Sequence, residues 1–133
     1  MKHIDHIAIA VQNMTQSKKL FAKIFGKSSS KSETIDSESV EVTFFDLGNS
    51  KIELISPLNS EGPISKYLER HPEGMHHIAF YVDDILLEME RLKKEGIRLL
   101  NESPSQGAGN KLICFLHPKD TNGVLIELCQ KMD

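Results

Sequence analysis

The chain has 133 residues, of which 39% are hydrophobic and 26% charged, the composition of an ordinary globular protein with enough material for a buried core. Its 16 Lys and Arg against 19 Asp and Glu give a net charge of −3 without a basic stripe, which argues against a nucleic-acid partner. No run approaches the ~20 apolar residues that cross a bilayer, so we expect no membrane insertion.

The cysteines and the N-terminus bear on the cellular compartment. Cys114 and Cys129 have no CxxC spacing and lie in apolar runs, which predicts free, buried thiols in a reducing environment. The first strand follows Met1 almost at once, which leaves no room for a signal or transit peptide. We therefore expect a cytoplasmic protein.

The first part of the chain is predicted to hold four strands and one helix. Alternating apolar residues indicate strands, and Gly26 is suited to end the helix because glycine adopts the left-handed conformation of a C′ residue. In chain order we expect a strand at 4–11, a helix from Asn13 or Thr15 to about Phe25, a weak strand or turns at 28–37, and strands at 40–47 and 51–56.

The second part is predicted to repeat this plan after a linker at 57–63 and a short helix that ends before Pro72. Asp83 or Asp84 can cap the main helix of this part, and Gly96 can end it. In chain order we expect strands at 75–82 and 97–100 with the helix between them, a Gly/Ser/Pro loop at 101–110, and strands at 111–116 and 124–130.

Two short motifs occur twice and define the organisation of the chain. His6-Ile-Ala-Ile-Ala-Val returns as His77-Ile-Ala-Phe-Tyr-Val, and Ile-Glu53-Leu returns as Ile-Glu127-Leu. Two copies of one supersecondary unit, each with an apolar face to bury, imply mutual packing. We therefore predict an α+β fold of two tandem βαβββ modules, at about 1–58 and 74–133 of a single domain 1–133, forming a curved half-open barrel around a metal site.

The repeated residues predict the metal site. A carboxylate flanked by Ile and Leu on an otherwise apolar strand face costs several kcal/mol to bury unless it is paired or coordinated. Two imidazoles and two carboxylates suit one divalent cation such as Co²⁺, Ni²⁺, Zn²⁺ or Mn²⁺. The spacing of the ligands along the chain excludes a local zinc finger. The predicted ligands are His6, Glu53, His77 and Glu127.

The other histidines are weaker candidates. Strand alternation directs His76 to the face opposite His77, so we expect a supporting role rather than ligation. His3 and His71 are expected at the surface. His117 ends a strand beside a turn, where it can either line the mouth of the site or make a structural hydrogen bond.

Four segments together resemble the methylmalonyl-CoA epimerase family of the vicinal oxygen chelate (glyoxalase-like) superfamily. They are His6-Ile-Ala-Ile-Ala-Val, Lys51-Ile-Glu-Leu-Ile-Ser-Pro-Leu, Gly74-Met-His-His-Ile-Ala-Phe and Phe115-Leu-His-Pro-Lys-Asp-Thr-Asn-Gly-Val-Leu-Ile-Glu-Leu. The resemblance covers nearly the whole chain. It implies a homodimeric isomerase that holds a divalent ion, often cobalt. Such an enzyme interconverts the (R) and (S) epimers of methylmalonyl-CoA through a metal-stabilised enolate.

The resemblance also implies roles for individual residues. The family's ligands fall on the four residues named above, Glu41 matches a proposed catalytic base, and Glu127 can double as the opposing base. The loop at 106–111 borders the acyl-CoA site in this family. The residues implied at the substrate are Gly107, Gly109, Lys111, His117 and Lys119, with Arg98 as a further candidate for the CoA phosphates.

Three other functions use the same scaffold. A lactoylglutathione lyase would need an arginine-containing glutathione-binding pattern near the first strand and helix, which is missing here. An extradiol dioxygenase would use two His and one Glu, and Glu53 occupies a position that such chemistry leaves open. A metal-free small-molecule-binding module characteristically lacks at least one ligand. Metal content separates that module from the enzymes.

Overall fold

The computed structural model describes residues 1–133 as eight strands and three α-helices. Two 3-10 turns, Asp36–Glu38 and Pro118–Asp120, complete the chain. The strands are β1 (His3–Ala10), β2 (Glu33–Ile35), β3 (Val40–Asp46), β4 (Lys51–Pro57), β5 (Gly74–Tyr81), β6 (Ser105–Gly107), β7 (Lys111–Phe115) and β8 (Ile126–Lys131), and the helices are α1 (Met14–Phe25), α2 (Pro63–Arg70) and α3 (Ile85–Lys94). The α+β class and the βαβββ order of both modules are confirmed.

The chain divides into two compact units whose boundaries fall inside strands. The first unit contains Met1–His6 and His77–Asp133, and the second contains Ile7–His76. Strands β1 and β5 therefore each contribute residues to both units. This division assigns His6 to the unit that holds the second sequence module. The single-domain interpretation of residues 1–133 stays a prediction.

In the Ile7–His76 unit, helix α1 packs against one face of the β3–β4 pair. Asn13 caps α1 by accepting a hydrogen bond from the Gln16 amide, and Gly26 ends the helix at φ +69°, as the sequence indicates. The strands run in the order β2-β3-β4-β1. The core beneath the helix consists of Val11, Met14, Phe45 and Leu54, with Phe21 and Phe25 packed against it.

In the other unit, helix α3 packs on strands β5, β7 and β8. Asp84 caps α3 through the Leu87 amide, and Ile85, Met89 and Leu92 form its buried face. The strand order is β1-β5-β8-β7-β6, with β5 parallel to β8 and β7 antiparallel to β8. No helix of the structure has the length and apolar character needed to cross a membrane.

The prediction of a strand at 97–100 is wrong. Only a single bridge, between Leu99 and Leu116, forms there. The strand that follows the helix in this module is β6, which lies inside the segment predicted to be a loop. The cause is pairing, because Ser105–Gly107 lies directly opposite Lys111–Ile113 on β7 across a tight turn. Tertiary pairing overrides local β-propensity at such short segments.

Both cysteines are buried and free, as the sequence predicts. Burial, followed by the charge of Glu127, raises the pKa of the Cys114 thiol to about 11. Burial is also the main cause that raises the pKa of Cys129, with the charges of Asp5 and Glu127 adding to it. Both thiols are therefore poor nucleophiles at neutral pH.

We expect both thiols to resist modification in the folded protein. A pKa of about 11 in place of 9.0 is a difference of 2 units, which lowers the thiolate fraction of Cys114 about 100-fold at pH 8. Labelling with a disulfide reagent should be at least that much slower in the native protein than in guanidinium. Rapid native labelling of either cysteine would contradict the observed burial.

Candidate metal centre

His6, His77 and Glu127 come together in the first unit, and their ligand atoms all lie within 4.8 Å of one another. His77 Nε2 is 3.3 Å from Glu127 Oε1, and His6 Nε2 is 3.6 Å from Glu127 Oε2. Each residue is at most 5% exposed. Three of the four predicted ligands thus form one buried cluster of two imidazoles and one carboxylate.

The register of the strands explains how Glu127 reaches this position. Ala79 on β5 and Phe115 on β7 lie directly beside Glu127 on β8, so their side chains share its face. Ala79 is small and fully buried, which leaves room for the carboxylate. His77 is two residues before Ala79 and therefore on the same face, where the Phe115 ring meets its imidazole edge to face at 5.6 Å.

Asp5 sets the orientation of His6. Asp5 Oδ2 lies 2.7 Å from His6 Nδ1, and the Lys111 ammonium donates to the same oxygen at 2.5 Å. Burial raises the pKa of Asp5, but hydrogen bonds from His6 and Lys111 and the Lys111 charge outweigh it, so this pKa lies well below its usual range. An ionised carboxylate only accepts, so Nδ1 carries the hydrogen and the lone pair of a neutral His6 is on Nε2.

The donor set fits a divalent cation. With metal–ligand bonds of about 2.1 Å, a tetrahedral or octahedral ion sets neighbouring ligand atoms roughly 3.0 to 3.4 Å apart. The two distances from an imidazole nitrogen to a Glu127 oxygen, 3.3 and 3.6 Å, are close to this range. His6 Nε2 lies 3.6 Å from a Glu127 carboxylate oxygen, and a positive charge between these two atoms would stabilise this arrangement. Two imidazoles and a carboxylate suit Co²⁺, Ni²⁺, Zn²⁺ or Mn²⁺.

Glu53, the fourth predicted ligand, belongs to the Ile7–His76 unit. It is 5% exposed on β4, directly opposite Phe44 on β3. A buried carboxylate on this strand agrees with the alternation argument, because Leu54 on the other face of the strand is also buried. Its participation in metal binding stays a prediction.

Glu41, the predicted first base, is half-buried on β3 opposite Ser56. The β3–β4 register places Glu41 on one face of this pair with Thr43, and Glu53 on the other face with Phe44. The two carboxylates therefore lie on opposite faces of the β3–β4 pair. The catalytic role of Glu41 stays a prediction, to which the register gives no support.

The remaining histidines lie outside the cluster. His76 is half-buried and packs edge to face on Tyr67, whereas His77 is buried, so alternation separates the two as predicted. His3 and His71 are exposed, as expected. Of the two alternatives for His117, the structure contains the hydrogen bond, since its Nδ1 accepts from the Lys119 amide at the Pro118–Asp120 turn.

The two glycines predicted to approach the substrate have local structural reasons to be glycine. A Cβ on Gly107 would lie 2.9 Å from a methyl group of Ile113, so a side chain would fit only if Ile113 shifted. Gly109 has φ +70° in the β6–β7 turn, a conformation that glycine adopts without steric cost. Contact of either residue with a substrate stays a prediction.

The basic residues predicted at the CoA phosphates have different surroundings. Lys111 is 7% exposed and its ammonium donates a hydrogen bond to Asp5, and its contact with the CoA phosphates stays a prediction. Both Nε and a terminal nitrogen of Arg98 donate to Asp120, whose pKa this pairing lowers. Lys119 is exposed and remains a candidate.

Sequence reasoning missed Asp5 and its contact with Lys111. Asp5 directly precedes His6, and a carboxylate that holds the second nitrogen of a ligand histidine is a general feature of metal sites. This general feature could have predicted the role of Asp5 from the sequence. No sequence feature predicts its contact with Lys111, because 106 residues separate the two along the chain.

Comparison with known proteins identifies the family to which this fold belongs. The family model for the Glyoxalase/Bleomycin resistance protein/Dioxygenase superfamily matches residues 5–115. Human mitochondrial methylmalonyl-CoA epimerase is 41% identical over 128 residues, covering 96% of this chain and 73% of its own length. The ethylmalonyl-CoA/methylmalonyl-CoA epimerase of Cereibacter sphaeroides is 40% identical over 129 residues and covers 96% of each chain.

A solved structure extends the similarity to the whole fold. A variant of Streptomyces coelicolor methylmalonyl-CoA epimerase in complex with 2-nitronate-propionyl-CoA superposes with a TM-score of 0.95 at 29% identity, covering 100% of this chain and 99% of the other. The resemblance noted in the sequence is confirmed, as is the expectation of an isomerase. The chain belongs to the methylmalonyl-CoA epimerase family of the glyoxalase/bleomycin resistance protein/dioxygenase superfamily.

Proposed function

We propose that this protein interconverts (R)- and (S)-methylmalonyl-CoA by removing the C2 proton and returning one to the opposite face. The observation that carries this proposal is the buried cluster of His6, His77 and Glu127 in a chain about 40% identical to epimerases of this substrate. The variant of the Streptomyces relative is in complex with 2-nitronate-propionyl-CoA. An acyl-CoA thioester is therefore the proposed substrate class.

The chemistry requires stabilisation of negative charge and two proton-transfer groups. The C2 proton lies between a thioester carbonyl and a carboxylate, and its removal gives an enolate. A divalent cation bound by His6, His77 and Glu127, with Glu53 as a fourth ligand, would act as a Lewis acid that stabilises the enolate oxygen. Co²⁺ is favoured from the family resemblance, and Zn²⁺, Ni²⁺ and Mn²⁺ suit the same donors.

The protein residues have distinct parts in this proposal. The two imidazoles hold the Glu127 carboxylate in place. Glu127 transfers a proton between one of its carboxylate oxygens and one face of C2. Glu41 is the proposed base on the other face. Ala79 and Phe115 flank Glu127 on the neighbouring strands, and the carboxylate is 5% exposed, so these neighbours limit its contact with bulk water.

Two further proposals concern the state of the protein. We propose a homodimer, as the family resemblance implies, and molar-mass measurement by light scattering tests it directly. We also propose a cytoplasmic location, which the free thiols Cys114 and Cys129 support because a reducing compartment keeps thiols unpaired.

We expect His77→Ala to abolish metal binding and His76→Ala to spare it. Loss of an outer-shell partner of a metal ligand costs about 10–100-fold in affinity, so loss of a ligand should cost more than about 100-fold. Calorimetric titration of the metal-free protein with Co²⁺ measures both variants. The neighbouring His76→Ala is the matched control, and equal losses would overturn the proposed ligand set.

We expect the metal-loaded protein to incorporate deuterium at C2 of methylmalonyl-CoA in D₂O and to equalise the two epimers. Mass spectrometry measures the exchange and chiral analysis of the acid measures the epimers. The metal-stripped protein should do neither, and added Co²⁺ should restore both. A binding module would retain the ligand without exchange, and full-speed epimerisation after metal removal would contradict the proposal.

We expect Glu41→Gln to separate proton transfer from metal binding. If Glu41 is the first base, turnover falls roughly 10²–10⁴-fold, because general acid–base catalysis contributes about this factor. Co²⁺ affinity should stay unchanged, since Glu41 is not a proposed ligand. Exposed Glu38→Gln, just before the same strand, is the control. Unchanged turnover in Glu41→Gln would remove Glu41 from the mechanism.

A further inference from the structure

Asp5 and Lys111 form a buried ion pair beside the proposed metal centre. Lys111 Nζ donates to Asp5 Oδ2 at 2.5 Å, and the same oxygen lies 2.7 Å from His6 Nδ1. Asp5 is 8% exposed, Lys111 is 7% exposed and His6 is 4% exposed. A single carboxylate oxygen thus links a cation from β7 to an imidazole on β1.

This geometry limits the motion of the imidazole. An imidazole ring can rotate about its bond to Cβ, and a fixed acceptor at Nδ1 removes that freedom. With Nδ1 held by Asp5, Nε2 faces Glu127 Oε2 at 3.6 Å. Lys111 in turn restrains the accepting oxygen, because the ammonium and the imidazole approach that oxygen together.

The backbone before Lys111 is itself anchored. Lys111 pairs with Gly107 across the β6–β7 turn and with Lys131 on β8. The Met132 amide donates to the Asn110 carbonyl, and the Asn110 side chain donates to the Met132 carbonyl. The position of the ammonium is therefore set by the fold on both sides of the turn.

An ion pair with this degree of burial needs an explanation beyond stability. Desolvation of two charges offsets much of their attraction, and apolar residues of similar size often stabilise a core as well or better. A charged carboxylate does provide one thing that an apolar residue does not, which is a directional acceptor for the imidazole N–H. Lys111 supplies the positive charge that makes burial of this acceptor tolerable.

We propose that Asp5 and Lys111 are positioning residues that hold His6 in the Nδ1–H tautomer with Nε2 directed at the metal. This inference rests on the metal centre of the proposed function. It assigns Lys111 a role inside the protein instead of at the substrate phosphates. Neither residue would touch the substrate.

The test uses the full chain, metal-free and zinc-titrated, without substrate. Nitrogen-15 NMR of the imidazoles should find His6 as the Nδ1–H tautomer in the wild-type protein. Asp5→Ala should populate the Nε2–H form and lower Zn²⁺ affinity about 10–100-fold, the range for loss of an outer-shell partner. Asp5→Asn, whose carboxamide oxygen can still accept from Nδ1, should recover most of the affinity.

Controls separate positioning from a loss of folding. Lys131→Met removes the exposed lysine that pairs with Lys111 in register, and Asp83→Asn removes an exposed acid of the same unit. Both should leave the His6 tautomer and the Zn²⁺ affinity unchanged. Because Asp5→Ala leaves a buried ammonium that can unfold the chain, Asp5→Ala with Lys111→Met provides a second variant without that charge.

The outcomes are distinct from those of the proposed function. A wild-type His6 in the Nε2–H form, or a folded double variant with wild-type tautomer and Zn²⁺ affinity, would overturn the inference. A protein that binds Zn²⁺ as expected but does not epimerise methylmalonyl-CoA would leave the positioning role standing and refute the proposed function. An active wild-type enzyme, together with an unaltered His6 tautomer in the folded double variant, would support the proposed function and refute the positioning role.

Discussion

Burial of the Glu127 carboxylate between two imidazoles is the constraint on which the rest of this unit depends. An isolated carboxylate inside a protein costs several kcal/mol, and the nearest imidazole nitrogens are 3.3 and 3.6 Å from its oxygens. A cation held between the three side chains would offset that cost, and the same charge would stabilise an enolate. The buried carboxylate that destabilises the fold is thus the group that the proposed chemistry needs.

The strands around this carboxylate are arranged to hold it. Parallel pairing of β5 with β8 sets Ala79 beside Glu127, and antiparallel pairing with β7 sets Phe115 on its other side. The Asp5–Lys111 pair extends this support to His6. A chain of contacts therefore runs from the β6–β7 turn through Lys111 and Asp5 to a ligand of the proposed metal.

Much of this arrangement could be predicted from the sequence because the repeat is local and regular. The duplicated His and Glu motifs identified three residues that meet in the structure, and helix caps such as Asn13 follow from short-range hydrogen bonding. Long-range partners could not be predicted. Nothing near Lys111 in the sequence indicates Asp5, and the side to which Glu41 points reverses with a one-residue change in register.

The central claim is that these three side chains share one cation, and a crystal structure of the zinc-loaded protein tests it most directly. The anomalous difference map at the zinc edge should contain a peak about 2.0–2.2 Å from Nε2 of His6, Nε2 of His77 and a carboxylate oxygen of Glu127. A zinc peak bound elsewhere, with these three side chains in contact with one another and with no ion, would contradict the account.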